Sequence, residues 1–153
     1  MPPVVLTFAP AAEHVRMARL VVVAAARRAG VDEVRLDDVR LAVGEMCARA
    51  VNRCAKQATA SVAPVAPVMP VVPVRAGAAP AVDPPEVVWR IRVEVLDDGP
   101  DVQVCVCDPA GSVELPEDAV TFAMAATLSD SLRLVPEVDG GLSGVELGWH
   151  RAG

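Results

Sequence analysis

The chain has 153 residues, of which 53% are apolar, 22% charged and 3% aromatic, so we expect one domain with a core of valine, alanine and leucine. A net charge of −6 and a pI of about 4.8 exclude an ordinary DNA-binding surface, because lysine and arginine contacts to phosphate supply most of that affinity. No apolar run reaches the roughly 18 residues of a membrane helix, and a basic signal-peptide region is lacking. We expect a cytoplasmic protein with reduced cysteines and no direct contact with nucleic acid or membrane.

The predicted elements follow a simple order. Apolar periodicity predicts a strand at 4–8, helices at 11–29 and 37–54, a hairpin at 87–95 and 102–107, a helix at 116–131 and a second hairpin at 132–135 and 145–149. Gly30 ends the first helix, and Asp37 and Asp38 favour the start of the second. This order predicts an α+β fold, a two-layer sandwich in which a mixed or antiparallel sheet carries about three helices on one face, in one domain over residues 1–153.

Residues 57–86 differ in composition from the rest of the chain. They hold half of the fourteen prolines, and Pro64, Pro67, Pro70 and Pro73 repeat every third residue. That spacing suits polyproline II and excludes a helix. We expect a disordered or extended insert in a surface loop. A proline-rich ligand for a partner is the alternative.

The second helix combines two stripes. One is apolar, and it runs through Val39, Val43, Met46 and Ala50. The other carries polar chemistry, and it runs through Glu45, Arg49 and Asn52. The first stripe is typical of a core, so any site on this helix is expected on the second.

Three segments carry a family resemblance: residues 14–19, residues 26–31 and residues 36–51. Together with the element order they resemble the histidine-kinase-like (GHKL) ATPase superfamily, in the branch of small bacterial anti-sigma factor serine kinases. The resemblance covers nearly the whole chain except the proline-rich insert. It implies the GHKL fold, with ATP and Mg²⁺ as cofactors.

The first ATP-binding box of that family reads Glu-x-x-x-Asn. Its Glu orients a nucleophile or water near the γ-phosphate, and Glu45 matches it as the implied catalytic residue. Arg49 stands where the family has the Mg²⁺-binding Asn, and a guanidinium donates only, although it could contact phosphate. Asn52, one turn further on, is the remaining nucleotide-binding candidate. The alternative is an i,i+4 ion pair of Glu45 with Arg49 on a solvated face.

The second and third ATP-binding boxes of the family match this sequence less well than the first. The second reads Asp-x-Gly-x-Gly, and Asp108 and Gly111 stand for its adenine-binding Asp and one of its glycines. An ordinary turn is the alternative for this segment. The lid glycines of the third box fall on Ala119 and Thr121. Phosphoryl transfer depends on positioning and charge stabilisation, so these losses argue against an efficient kinase.

The resemblance implies a regulator of transcription that works by partner switching, binding a sigma factor or an anti-anti-sigma antagonist. A homodimer is expected from the same resemblance. The alternatives are an active ATP-dependent serine/threonine kinase that phosphorylates the antagonist, and a structural homodimer. The exposed candidates for partner binding on the first helix are Glu13, Arg16, Arg19 and Arg27. A single lysine among many arginines indicates a GC-rich bacterial coding sequence.

The four cysteines raise the question of a metal. Cys105 and Cys107 point to one side of a strand, and Cys47 and Cys54 to one side of a helix. Their sulfurs could converge on zinc if that helix packs on that strand. Because the spacing is not that of a zinc ribbon, we expect no metal and four free cysteines.

Overall fold

A computed structural model describes residues 2–61, 90–110, 118–138 and 142–153. It contains three α-helices and five strands in the described part. The strands are β1 Val4–Phe8, β2 Ile91–Asp98, β3 Asp101–Asp108, β4 Ser131–Val138 and β5 Leu142–His150. The helices are α1 Ala12–Arg28, α2 Leu36–Ser61 and α3 Asp118–Leu128, with a 3₁₀ turn at Glu33–Arg35. The predicted order of elements is confirmed.

The five strands form one antiparallel sheet in the order β1-β2-β3-β5-β4. The helices cover one face of it, so the predicted α+β sandwich is confirmed, with every strand pair antiparallel. Gly99 starts the two-residue turn between β2 and β3 with φ +72°, a backbone angle that glycine adopts without strain. The middle strand is β3, and its even-numbered residues face the helices.

The core lies between this face of the sheet and the apolar stripes of α1 and α2. Its fully buried members include Val39, Val43 and Met46 from α2 and Ile91 and Leu147 from the sheet. Trp149 of β5 is also fully buried, and its indole Nε1 donates to the carbonyl of Leu128 at 2.8 Å. That hydrogen bond gives the buried indole N–H an acceptor and connects the end of α3 to the sheet.

Two predicted boundaries were wrong. The second helix does not end near residue 54 but runs to Ser61, so residues 57–61 of the expected insert are helical. Alanine, lysine and glutamine favour continuation of the helix there, and the first proline of the predicted insert comes only at residue 64. The remainder of the predicted insert, residues 62–86, lies outside the described residues. The third helix is shorter than the predicted 116–131, because Ser131 already belongs to β4.

No helix in the described ranges is both long and apolar enough to cross a bilayer.

A polar cluster joins the end of β5 to the turn regions beside it. Asp130 accepts from the His150 amide at 2.8 Å and pairs with Arg35 at 3.1 Å. The ring of His150 lies 2.5 Å from the carboxylate of Asp101, and this hydrogen bond raises the pKa of His150. A raised folded-state pKa means that protonated His150 favours the folded chain. Its contribution is complete below about pH 6.5 and is lost as the pH rises through the folded-state pKa.

Asp101→Asn should therefore lower the pKa of His150 toward its ordinary value, because the amide cannot attract the imidazolium charge. An NMR titration of the His150 ring protons in both proteins measures this directly. Equal titration midpoints would show that Asp101 does not hold the charged ring.

Candidate functional site

The polar stripe of α2 faces the start of α3 across a small cavity. The cavity has a volume of about 210 Å³. It is lined by Glu45, Ala48, Arg49, Asn52, Arg53, Lys56, Asp118 and Thr121. Residues three, four and seven apart on a helix share one face, which explains why so many of these come from α2. The opposite stripe of the same helix is the buried core.

Arg49 is held by two residues of α3. Its Nε lies 2.9 Å from Oδ1 of Asp118, and its Nη2 donates to Oδ2 at 3.1 Å. The guanidinium carbon also lies 4.7 Å from the centre of the Phe122 ring, a cation–π contact. Only the Nη2 contact has hydrogen-bond geometry, because Nε of Arg49 has no hydrogen-bond partner among the described residues. A charge-assisted hydrogen bond of this kind is among the stronger ones in proteins. The side chain is consequently only 11% exposed.

The predicted i,i+4 pair of Glu45 with Arg49 is wrong. Arg49 turns toward α3, and a carboxylate in the same buried layer attracts it more strongly than one on a partly solvated face. Glu45 is half-buried and makes no ion pair with any residue of the described ranges. Its carboxylate borders the cavity.

Arg53 lies one turn beyond Arg49 and is 5% exposed. Its Nε is 3.5 Å from Oδ1 of Asp108, and its Nη1 is 3.8 Å from Oδ2 of Asp118. A buried guanidinium needs such partners, because an isolated buried charge is very costly. Arg53 thus joins the end of β3 to the start of α3.

Asp108 is the last residue of β3 and is 2% exposed. As an even-numbered residue of that strand it faces α2, where it meets Arg53. Its Oδ1 also accepts from the Ala110 amide at 2.9 Å. Burial raises the pKa of Asp108, although the Ala110 amide and the two arginines work in the opposite direction.

Asp118 is the first residue of α3 and is 3% exposed. An acidic residue at a helix N-terminus is favoured by the helix dipole. It is also the only charged residue in α3. Asp108, Arg53, Asp118 and Arg49 form a chain of alternating charges, which we call the Arg–Asp cluster. Its formal charges cancel.

The family of histidine kinase-like ATPase domains matches residues 8–138. This chain belongs to that family. No curated protein matches it as a relative. The family's name points to ATP as the ligand.

The structure brings some of the predicted ATPase-site residues together. Glu45, Arg49 and the exposed Asn52 line the cavity. Asp108 is not among the described residues that line the cavity, whereas its ion-pair partner Arg53 is. Gly111 lies outside the described residues.

At the expected lid of the ATPase domain, the first turn of α3 holds the exposed Ala119 and the cavity-lining Thr121. The two residues that the sequence pattern missed are Arg53 and Asp118. The sequence feature that could have identified Arg53 as a site residue is its position four residues after Arg49 on the polar stripe.

The four expected partner-binding residues of α1 are all exposed, but they differ in their contacts. Arg27 donates to Glu33 at 2.6 Å and 3.1 Å. Arg19 packs over Gly44 of α2, where an added Cβ would lie 2.5 Å from its Nε. Glu13 lies 3.8 Å from the ring of His14. Arg16 makes no ion pair with a described residue, so its charge is the most available of the four.

The zinc hypothesis fails on geometry. Cys47 and Cys54 of α2 lie in the core, whereas Cys105 and Cys107 are odd-numbered residues of β3 and face away from the helices. The sheet therefore separates the two pairs. Within the described ranges, no group of three or more His, Cys, Asp or Glu side chains could hold a metal ion.

The buried pair of Arg53 and Asp108 should be worth more than an exposed pair of the same kind. Arg53→Met removes the ion-pair partner of the buried Asp108, and removing one partner of a buried pair costs about 3–5 kcal/mol. Asp108→Asn in the same background should recover part of that loss. A double-mutant cycle by urea unfolding measures the coupling.

The control is the same cycle with Arg27→Met and Glu33→Gln. That pair is 57% and 68% exposed, so its coupling should stay below about 1 kcal/mol. Equal couplings in the two cycles would show that the Arg–Asp cluster is no stronger than a surface contact.

Proposed function

We propose that this chain is an anti-sigma-factor-type regulator that acts by partner switching, and that the Arg–Asp cluster fills its nucleotide site from within. The observation that carries the proposal is the position of Arg53 between Asp108 and Asp118. Arg53 then occupies the space, and makes the polar contacts, that a bound nucleotide would need.

The first support is the chemistry of the metal position. Mg²⁺ takes oxygen ligands in an octahedral arrangement. Arg49 offers only N–H donors and a positive charge, and it already forms an ion pair with Asp118. The described residues of this site do not fit Mg²⁺–ATP, so we derive no phosphoryl-transfer step for the chain.

The second support is the state of Asp108. In the family this carboxylate is expected to accept a hydrogen bond from adenine. Here one oxygen takes the Ala110 amide and faces Arg53, and the side chain is only 3% exposed. Displacing Arg53 from Asp108 would break its ion pairs with both aspartates.

The third support is space. Pockets for small ligands usually measure about 300–1,000 Å³. The cavity beside the Arg–Asp cluster measures about 210 Å³. That volume is below the usual range for a ligand of nucleotide size.

A domain without its cofactor still has a surface for partners. Residues 14–19, 26–31 and 36–51 resemble anti-sigma regulators, and the exposed Arg16 lies in the first of these segments. We propose that α1 binds a sigma factor or its single-domain antagonist in the bacterial cytoplasm, one partner releasing the other. A homodimer is compatible with this proposal and is not required by it.

The second candidate function is an active serine/threonine kinase. Glu45 favours it, because its carboxylate borders the cavity and has no ion pair in the described part of the chain. A free carboxylate is what a general base requires. The Arg–Asp cluster disfavours this candidate.

The experiment is co-expression of the tagged chain with each sigma factor and each single-domain antagonist of the source genome. We expect one of them to co-purify, and the Kd of the purified pair can then be measured. Arg16→Ala should weaken the complex about tenfold or more if Arg16 lies in the interface core. Arg133→Ala is the matched control, because it removes an arginine that is 68% exposed on the far edge of the sheet.

Failure of every candidate to co-purify would overturn the partner-switching proposal. A captured antagonist that carries phosphoserine with the wild-type chain, but not with Glu45→Gln, would establish the kinase instead.

A further inference from the structure

The face of the sheet opposite the described helices carries a pair of thiols in contact. Cys105 and Cys107 are two residues apart on β3, and successive residues of a strand point to opposite faces. Both therefore lie on the face opposite the helices. Their Sγ atoms are 3.2 Å apart and hydrogen-bonded. Both are free cysteines.

The neighbouring strand leaves room for this pair. Gly144 of β5 lies directly opposite Cys107. A Cβ at this position would lie 2.7 Å from Sγ of Cys107 and 2.3 Å from the carbonyl oxygen of Val106. No side chain can therefore stand over the thiol from this position. Cys107 is 6% exposed, and Cys105 is more open.

The two thiols differ in acidity. The hydrogen bond with Cys105 lowers the pKa of Cys107, and the charge of Arg92 acts in the same direction, whereas burial and the charges of Asp108 and Glu94 oppose it. The same contact with Cys107, together with burial, raises the pKa of Cys105. This is the division expected of a nucleophilic and a resolving cysteine, since the thiolate is the reactive form.

The other two cysteines provide a contrast inside the same chain. Burial raises the pKa of Cys47 to about 12 and that of Cys54 to about 11. Both are 1% exposed or less. Neither thiol is ionised or accessible enough to react readily.

We propose that Cys105 and Cys107 form an oxidative modification site, a dithiol that hydrogen peroxide converts to an intrachain disulfide. The Cys107 thiolate attacks one peroxide oxygen, the O–O bond breaks, and the departing hydroxide takes up a proton to leave as water. Cys107 is then a sulfenic acid.

The Cys105 thiol gives up its proton and its sulfur attacks Sγ of Cys107. The S–O bond breaks and a second water leaves. The two thiols lose two electrons, and the peroxide gains them.

The bond should be reversible. Residues two apart in a strand are separated by roughly 6.6 Å between Cα atoms, from a rise of about 3.3 Å per residue. This is near the upper limit of about 6.8 Å for a disulfide. A bond formed at that limit is strained, and strained disulfides are the readily reduced ones.

The test uses the reduced full-length chain, treated with a small excess of hydrogen peroxide and then alkylated. Trypsin places both cysteines on one peptide, residues 93–133, and leaves Cys47 and Cys54 on two others. We expect the 93–133 peptide to lose two hydrogen atoms and its two alkylation sites, while the other cysteines stay alkylated. A thiol reductant should restore both sites.

Two variants identify the roles. Cys105→Ser should stop at the sulfenic acid, which a dimedone adduct on Cys107 reports. Cys107→Ser should slow oxidation of this peptide about tenfold or more, because the acidic thiol is gone. Cys47→Ser is the control that removes one of the four thiols and should leave the disulfide unchanged. A gain of oxygen by the 93–133 peptide is not evidence for oxidation of the cysteines, because the exposed Met124 lies on the same peptide.

Three results would overturn the proposal. They are an alkylated pair after peroxide treatment, a disulfide between Cys105 residues of two chains, and oxidation of Cys47 or Cys54 at the rate of Cys107.

Discussion

The arrangement of this domain depends on the burial of Arg53 between two aspartates. A buried guanidinium must be compensated, so Asp108 at the end of β3 and Asp118 at the start of α3 are drawn to the same side of α2. Arg49 adds a second ion pair to Asp118, with one hydrogen bond from its Nη2. The cluster thereby joins sheet and helix at the place where a histidine kinase-like ATPase domain is expected to bind its nucleotide.

Most of the fold could be predicted from the sequence, because each element has a clear periodicity. The alternation of β2 and β3 and the 3.6-residue stripe of α2 place their core faces correctly, and the order of elements follows from them. Boundaries were less predictable. Helix α2 continues to Ser61 because nothing in residues 55–61 opposes a helix, and the change of composition there misled the prediction.

The candidate site was predictable only in part. Glu45, Arg49 and Asn52 line the cavity because helical spacing alone determines that they share a face. The partner of Arg49 was not predictable, because Asp118 is 69 residues away in sequence and long-range ion pairs leave no local pattern. The same holds for the contact of Arg53 with Asp108. The positions of the cysteines, in contrast, could be predicted. Strand alternation places Cys105 and Cys107 on the face away from the helices once the sheet is known.

The most direct measurement is isothermal titration of the purified chain with ATP and with ADP, each with and without Mg²⁺. If the Arg–Asp cluster fills the site, neither nucleotide should give a heat of binding up to millimolar concentration, and Mg²⁺ should make no difference. Micromolar binding that requires Mg²⁺ would contradict the central claim. It would mean that Arg53 leaves Asp108 when a nucleotide arrives, and that the domain has kept the ligand of its family.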